Sequence, residues 1–111
     1  MRTRYGFRSA PAPKFKNVRT EVDGLRFDSK KEAARYVELK RLRAAGEVLW
    51  FIRQPTFDLP GGIRYRADFL VVLAAGGVRV EDVKSRGTRT RVYINKVKQV
   101  KALYGVEVTE V

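Results

Sequence analysis

Residues 64–84 read Arg64-Tyr65-Arg66-Ala67-Asp68-Phe69-Leu70-Val71-Val72-Leu73-Ala74-Ala75-Gly76-Gly77-Val78-Arg79-Val80-Glu81-Asp82-Val83-Lys84. Phe69–Leu73 is apolar on both alternating faces, which suits a central strand covered on both sides. Ala75-Gly76-Gly77 is a short turn, so Val78–Lys84 is expected to return antiparallel beside it. Side chains alternate along a strand, which puts Val80, Asp82 and Lys84 on one face and Glu81 and Val83 on the other. The start of the first strand then lies beside the end of the second, bringing Asp68 next to Asp82 and Lys84. Two carboxylates can hold a divalent cation, and a neighbouring ammonium can serve an attacking water or the charge developing on a phosphate. The tripeptide itself is cheap: Asp28-Ser29-Lys30 and Glu38-Leu39-Lys40 repeat it. Those copies fall at the start of a helix and inside it. A surface ion pair would account for Asp82 and Lys84, but not for Asp68 converging on them.

Upstream, Arg19–Val22, Asp23-Gly24 and Leu25–Phe27 form a hairpin pattern around a strong two-residue turn signal. Ser29-Lys30-Lys31-Glu32 is a capping box that opens a helix running to about Ala45, with Gly46 as its stop. Glu32 shares the face of Tyr36 and Leu39. Its position can be purely a cap, or it can both cap and reach a cation. Val48–Arg53 is extended and ends at Pro55, and Thr56–Leu59 can pair with the segment from Ile63 through Pro60-Gly61-Gly62. Downstream, Thr90 caps a second helix to Tyr104 with the stripe Tyr93, Val97, Val100, Tyr104; Gly105 ends it and Val106–Val111 is a closing strand. The expected fold class is α/β, in the order hairpin, helix, three extended segments, helix, strand.

Composition narrows the chemistry. The chain has 111 residues, enough for one domain over residues 18–111 behind a basic arm at 1–17. It contains neither cysteine nor histidine. Disulfides, thiolate metal sites, the usual zinc ligand and every histidine-based triad are thereby excluded. An enzyme built from this chain works with carboxylates, lysine, tyrosine and a hard, oxygen-loving cation. The formal charge of +12 points to a polyanionic partner, nucleic acid above all. No apolar run approaches a membrane span and no signal peptide is visible, so a cytoplasmic location is expected.

Bases for that partner are distributed along the chain. Arg2, Arg4, Arg8, Lys14 and Lys16 carry the arm's charge without an acidic residue, interleaved with Tyr5, Phe7 and Phe15; the arm either lies along phosphates or packs back on the domain. Arg86, Arg89 and Arg91 flank Gly87 just after the Asp82–Lys84 strand, where a phosphate clamp is well placed. Gln54 is a candidate for a phosphate or a water on the cation, or else a turn-stabilising amide. Lys96 either faces the groove beside the site or is a solvated helix charge. Tyr93 belongs to the core stripe, and Trp50 to the core or a dimer contact.

Asp68, followed by Asp82-Val83-Lys84 on the next strand and preceded by Glu32 on a helix, resembles the PD-(D/E)xK nuclease superfamily, with alanine instead of proline before the aspartate. The order helix, three strands, helix, strand over 18–111 resembles its restriction-endonuclease-like core. Glu21-Val22-Asp23-Gly24, Phe27-Asp28-Ser29-Lys30-Lys31-Glu32, Gln54-Pro55, Glu81-Asp82-Val83-Lys84 and Tyr104-Gly105-Val106-Glu107-Val108-Thr109-Glu110-Val111 resemble small phage Holliday junction resolvases and resolvase-like endonucleases. The resemblance implies a Mg2+-dependent endonuclease, Mn2+ substituting, that acts as a homodimer on branched DNA, with no organic cofactor and, if phage-encoded, in the host cytoplasm. It implies that Asp68, Asp82, the Val83 carbonyl and Glu32 bind the cation, and that Lys84 orients or deprotonates the attacking water. Rival expectations are a nicking or end-processing nuclease of the same fold, and a non-catalytic basic DNA-binding protein.

Overall fold

The computed structural model describes residues 18–84 and 89–111. A hairpin of β1 (Thr20–Val22) and β2 (Leu25–Phe27) comes first. Its turn places Asp23 at φ 55° and Gly24 at φ 76°, the paired left-handed conformations that a mirror-image two-residue turn demands. Helix α1 (Lys30–Ala44) begins where the Ser29 side chain accepts the Glu32 N–H at 3.1 Å. Glu32 reaches back to accept the Asp28 N–H at 3.0 Å, so the capping box closes one residue further upstream than its usual partner.

Five strands separate α1 from the second helix. They are β3 (Val48–Arg53), β4 (Thr56–Leu59), β5 (Ile63–Arg66), β6 (Phe69–Leu73) and β7 (Val78–Asp82). Three of them belong to the main sheet, while among the described residues β4 and β5 pair only with each other, through the turn at Pro60–Gly62. Helix α2 (Arg91–Tyr104) and β8 (Val108–Glu110) complete the chain. The two closing strands are shorter than the sequence pattern suggests, ending at Asp82 and Glu110.

The main sheet runs β3-β6-β7-β8. Its first two pairings are antiparallel and the last, β7 with β8, is parallel. A parallel pair needs a crossover, and α2 supplies it. The fold is therefore α/β, with two α-helices and mixed sheets among the described residues. Against one face lie α1 and β2: Phe27, Ala33, Leu39, Val48, Phe69 and Val71 form one buried cluster. Against the other lie α2 and the β4–β5 hairpin, where Leu59, Tyr65, Ala67, Val80, Tyr93 and Val100 form a second. Strand β6 feeds both, which is why its sequence is apolar without alternation. Full burial of Phe69 and Val71 contributes about 1.5–3 kcal/mol each.

Two expectations need correction. Of the two readings of Trp50 the core one falls, since Trp50 is half exposed on β3, which among the described residues lies at the edge of the main sheet. Tyr104 also lies outside the core; its ring leans on Phe57 and its hydroxyl donates to the Asp58 carbonyl at 2.7 Å. Among the described residues no helix is long and apolar enough to cross a membrane.

Candidate functional site

The register pairs Phe69 with Glu81, which sets Asp68, just before β6, beside the end of β7. The Asp68 N–H donates to the Glu81 carbonyl at 3.1 Å, and the Asp68 carboxylate accepts the Val83 N–H at 2.7 Å. The preceding chain leaves the sheet here, since the Ala67 N–H goes to the Pro55 carbonyl instead. Gln54 makes this departure rigid. It adopts φ 55°, a conformation uncommon outside glycine, and its N–H donates to the Asp68 carbonyl at 2.8 Å.

Asp82 is buried on the α2 face. The Tyr65 hydroxyl donates to its Oδ2, and Lys84 Nζ lies 4.0 Å from the same oxygen. Lys84 is fixed from three directions. Its ammonium lies 3.8 Å above the Tyr93 ring, its carbonyl accepts from Lys31 on α1, and its N–H reaches the Val111 carbonyl at 3.4 Å. Tyr93 in turn donates to Glu110 Oε2 at 3.0 Å, the oxygen that pairs with Arg89 Nε at 3.0 Å.

Burial pushes the Asp68 carboxyl up to about 6, and Glu32 adds to the effect while the Val83 N–H and Asp82 oppose it. Burial also raises Asp82, to about 7, with Asp68 adding and with Tyr65 and Lys84 opposing. Tyr65 and Tyr93 are raised by burial first, then by their carboxylate partners. The site thus crowds carboxylates that resist ionising together, a condition that a cation or a shared proton relieves.

Glu81 points the other way, as strand alternation requires. It is fully buried and accepts from Arg35 at 2.8 and 2.6 Å and from Arg79 at 2.9 Å. Arg35 lies one helical turn beyond Glu32, so this pair anchors to the sheet the part of α1 that carries Glu32. Among the described residues no three acidic groups close into a ready-made cation cage. Glu32 acts on Asp68, whereas Asp82 responds to Asp68, Tyr65 and Lys84. The remaining candidate donor is the Val83 carbonyl. Just past the end of β7, the Val83 N–H faces Asp68, so the Val83 backbone lies against that carboxylate.

Of the candidate DNA contacts, Arg2, Arg4, Arg8, Lys14, Lys16 and Arg86 lie outside the described residues. Arg91 is exposed at the start of α2. Arg89 is exposed and paired with Glu110, and Lys96 donates to the Arg64 carbonyl at 2.9 Å, tying α2 to β5. Gln54 is exposed, and its backbone N–H ties it to the Asp68 carbonyl. Sequence reasoning missed Tyr65, Arg35 and Glu110. Tyr65 alone carried a signal, as the apolar member between Arg64 and Arg66 on a strand. The family model described as "Protein of unknown function (DUF1064)" matches residues 12–109. No curated protein matches the chain.

Proposed function

We propose that this chain, which belongs to the DUF1064 family, is a divalent-metal-dependent endonuclease that cuts branched DNA, four-way junctions in particular. The observation that carries this reading is the meeting of Asp68, Asp82 and Lys84 at one strand end, with both carboxyls pushed into the range of about 6 to 7. The order helix, three sheet strands, helix and parallel strand supports a restriction-endonuclease-like core. The charge of +12 supports a polyanionic substrate.

The donor set fits a hard cation: it is all oxygen, and its crowded carboxyls gain most from a positive partner. Asp68, Asp82, the Val83 carbonyl and Glu32 would hold Mg2+, with Mn2+ as a substitute. When bound, the ion polarises the phosphate as a Lewis acid. Tyr65 orients Asp82 by its hydroxyl. Lys84, stacked on Tyr93, orients the attacking water and offsets charge as the phosphate gains its fifth oxygen. A homodimer would give the two cuts that resolving a junction requires. The exposed apolar side chains of Leu49, Trp50 and Ile52 on β3 support that strand as the paired surface.

The test uses a labelled four-way junction and a linear duplex of matching sequence, each with Mg2+. Paired symmetric nicks in the junction arms, lost in Asp68→Asn, are expected. Equal cutting of the linear duplex would overturn junction selectivity in favour of a nicking or end-processing enzyme. Binding without cleavage in either Mg2+ or Mn2+ would leave a non-catalytic DNA-binding protein.

A second expectation concerns stability. Asp68 and Asp82 have folded values raised above the ordinary 3.8, so the folded state binds more protons than the unfolded chain between about pH 4 and 7. Their contribution is fully present below about 3.8 and is lost as pH rises through about 6 and 7. In chelator, the melting temperature should therefore fall between pH 5 and 8. Millimolar Mg2+ should raise it at pH 8 and leave it nearly unchanged at pH 5, where protons compete. A Mg2+ effect equal at both values, or absent at both, would count against these carboxylates as the ligands.

A further inference from the structure

A cavity of about 450 Å³ opens between α2 and β8, lined by Arg89, Tyr93, Ile94, Val97, Lys98, Val108 and Glu110. We propose that it receives an unpaired nucleobase of the DNA strand being cut. The inference rests on the nuclease reading and names what that site selects.

Size and lining both favour such an occupant. The volume lies within the range of small-molecule sites, roughly 300–1,000 Å³. Ile94 and Val97, three residues apart on α2, and Val108 on β8 are partly buried and packed into the core, which makes an apolar wall against which a base face can lie. Lys98 is an exposed cation, suited to the phosphate of the same nucleotide. The Glu110 carboxylate, held by Tyr93 and Arg89, is an acceptor for an exocyclic amino group. A lipid or purely apolar ligand would leave these charges without a role.

Position gives the cavity its meaning. Tyr93 is one of its walls, and the same ring carries the Lys84 ammonium at 3.8 Å. A base in the cavity is thus separated from the candidate catalytic amine by one side chain. A base within an intact duplex is stacked and paired, and entering a concave pocket requires its extrusion. That costs the base its stacking and pairing, and least where it is already unpaired. The cavity therefore favours cutting beside a branch point or mismatch over cutting within regular duplex.

The full-length chain, in chelator so that no cleavage occurs, is titrated into duplexes carrying 2-aminopurine at successive positions around a single mismatch. At one position fluorescence is expected to rise at least threefold on saturation, followed alongside anisotropy. Val97→Trp, which fills the cavity, should abolish the rise. Lys98→Ala, at an exposed position, should weaken binding to the mismatched duplex at least fivefold and to perfect duplex less than twofold. Binding without a fluorescence change at any position overturns the proposal. So does a rise that a folded Val97→Trp retains, or equal weakening of both duplexes by Lys98→Ala. Failure to cleave with Mg2+ would sink the nuclease reading while leaving the fluorescence result intact, so the two are separable.

Discussion

Asp82→Asn is expected to lower single-turnover junction cleavage about a thousandfold, a loss of the size seen when one preorganised electrostatic contact is removed from a transition state. The amide keeps the shape and an acceptor for the Tyr65 hydroxyl, so the fold and the Tyr65 contact should persist. What disappears is the charge that faces both Asp68 and the Lys84 ammonium. Lys84→Ala should be comparably damaging, and Lys84→Arg should not restore the rate. A planar guanidinium cannot reproduce a compact ammonium held over the Tyr93 ring. Affinity for the junction, measured by anisotropy in chelator, should change less than threefold in each variant, because most of it comes from other bases. The wild-type rate should climb with pH through about 6 to 7, since Asp68 and Asp82 hold protons below that range. Raising Mg2+ should move the climb to lower pH, as cation and proton compete for the same oxygens. An Asp82→Asn rate within tenfold of wild type would remove Asp82 from the site.

What the sequence disclosed follows from where local rules dominate. The Asp23-Gly24 turn, the Ser29 cap and the αL stop at Gly105 are decided by single residues and their neighbours, and each is where the pattern put it. Asp68, Asp82 and Lys84 converge because a tight turn and a two-residue period leave β6 and β7 no other register. Tyr65 was hidden because its partner lies across a separate hairpin, β4–β5, whose docking against α2 no local pattern encodes. Arg35 was hidden for a related reason. On a helix so rich in charge, nothing marks the one arginine that a buried Glu81 will meet from the sheet. Glu32 was legible as a cap, and its carboxylate adds to the upward push on the Asp68 carboxyl. For Trp50 the core and dimer-contact readings stay unseparated in the sequence, because a strand residue's burial depends on what packs beside it, a property of the whole sheet.

The largest stability effect is expected at that hidden pair. Glu81 is fully buried, and Arg35 gives it two of the hydrogen bonds it accepts, while Arg79 supplies one more. Arg35→Ala would leave a buried carboxylate with half-exposed Arg79 as its remaining cation, at a cost of about 3 kcal/mol. For a chain of this size that corresponds to roughly 10–20 °C in melting temperature. Arg35→Met combined with Glu81→Leu should recover most of the loss, since removing both charges spares their desolvation. Function should nevertheless not return with stability in the double variant. Without the Arg35–Glu81 bonds, α1 is free to shift along the sheet, and Glu32 one turn away no longer meets Asp68. The double variant should then need a higher Mg2+ concentration for half-maximal cleavage, with a smaller change in the saturated rate. Full recovery of both stability and Mg2+ dependence would show that the pair only fills space. Recovery of stability alone would identify it as the device that holds Glu32 against the carboxylate site.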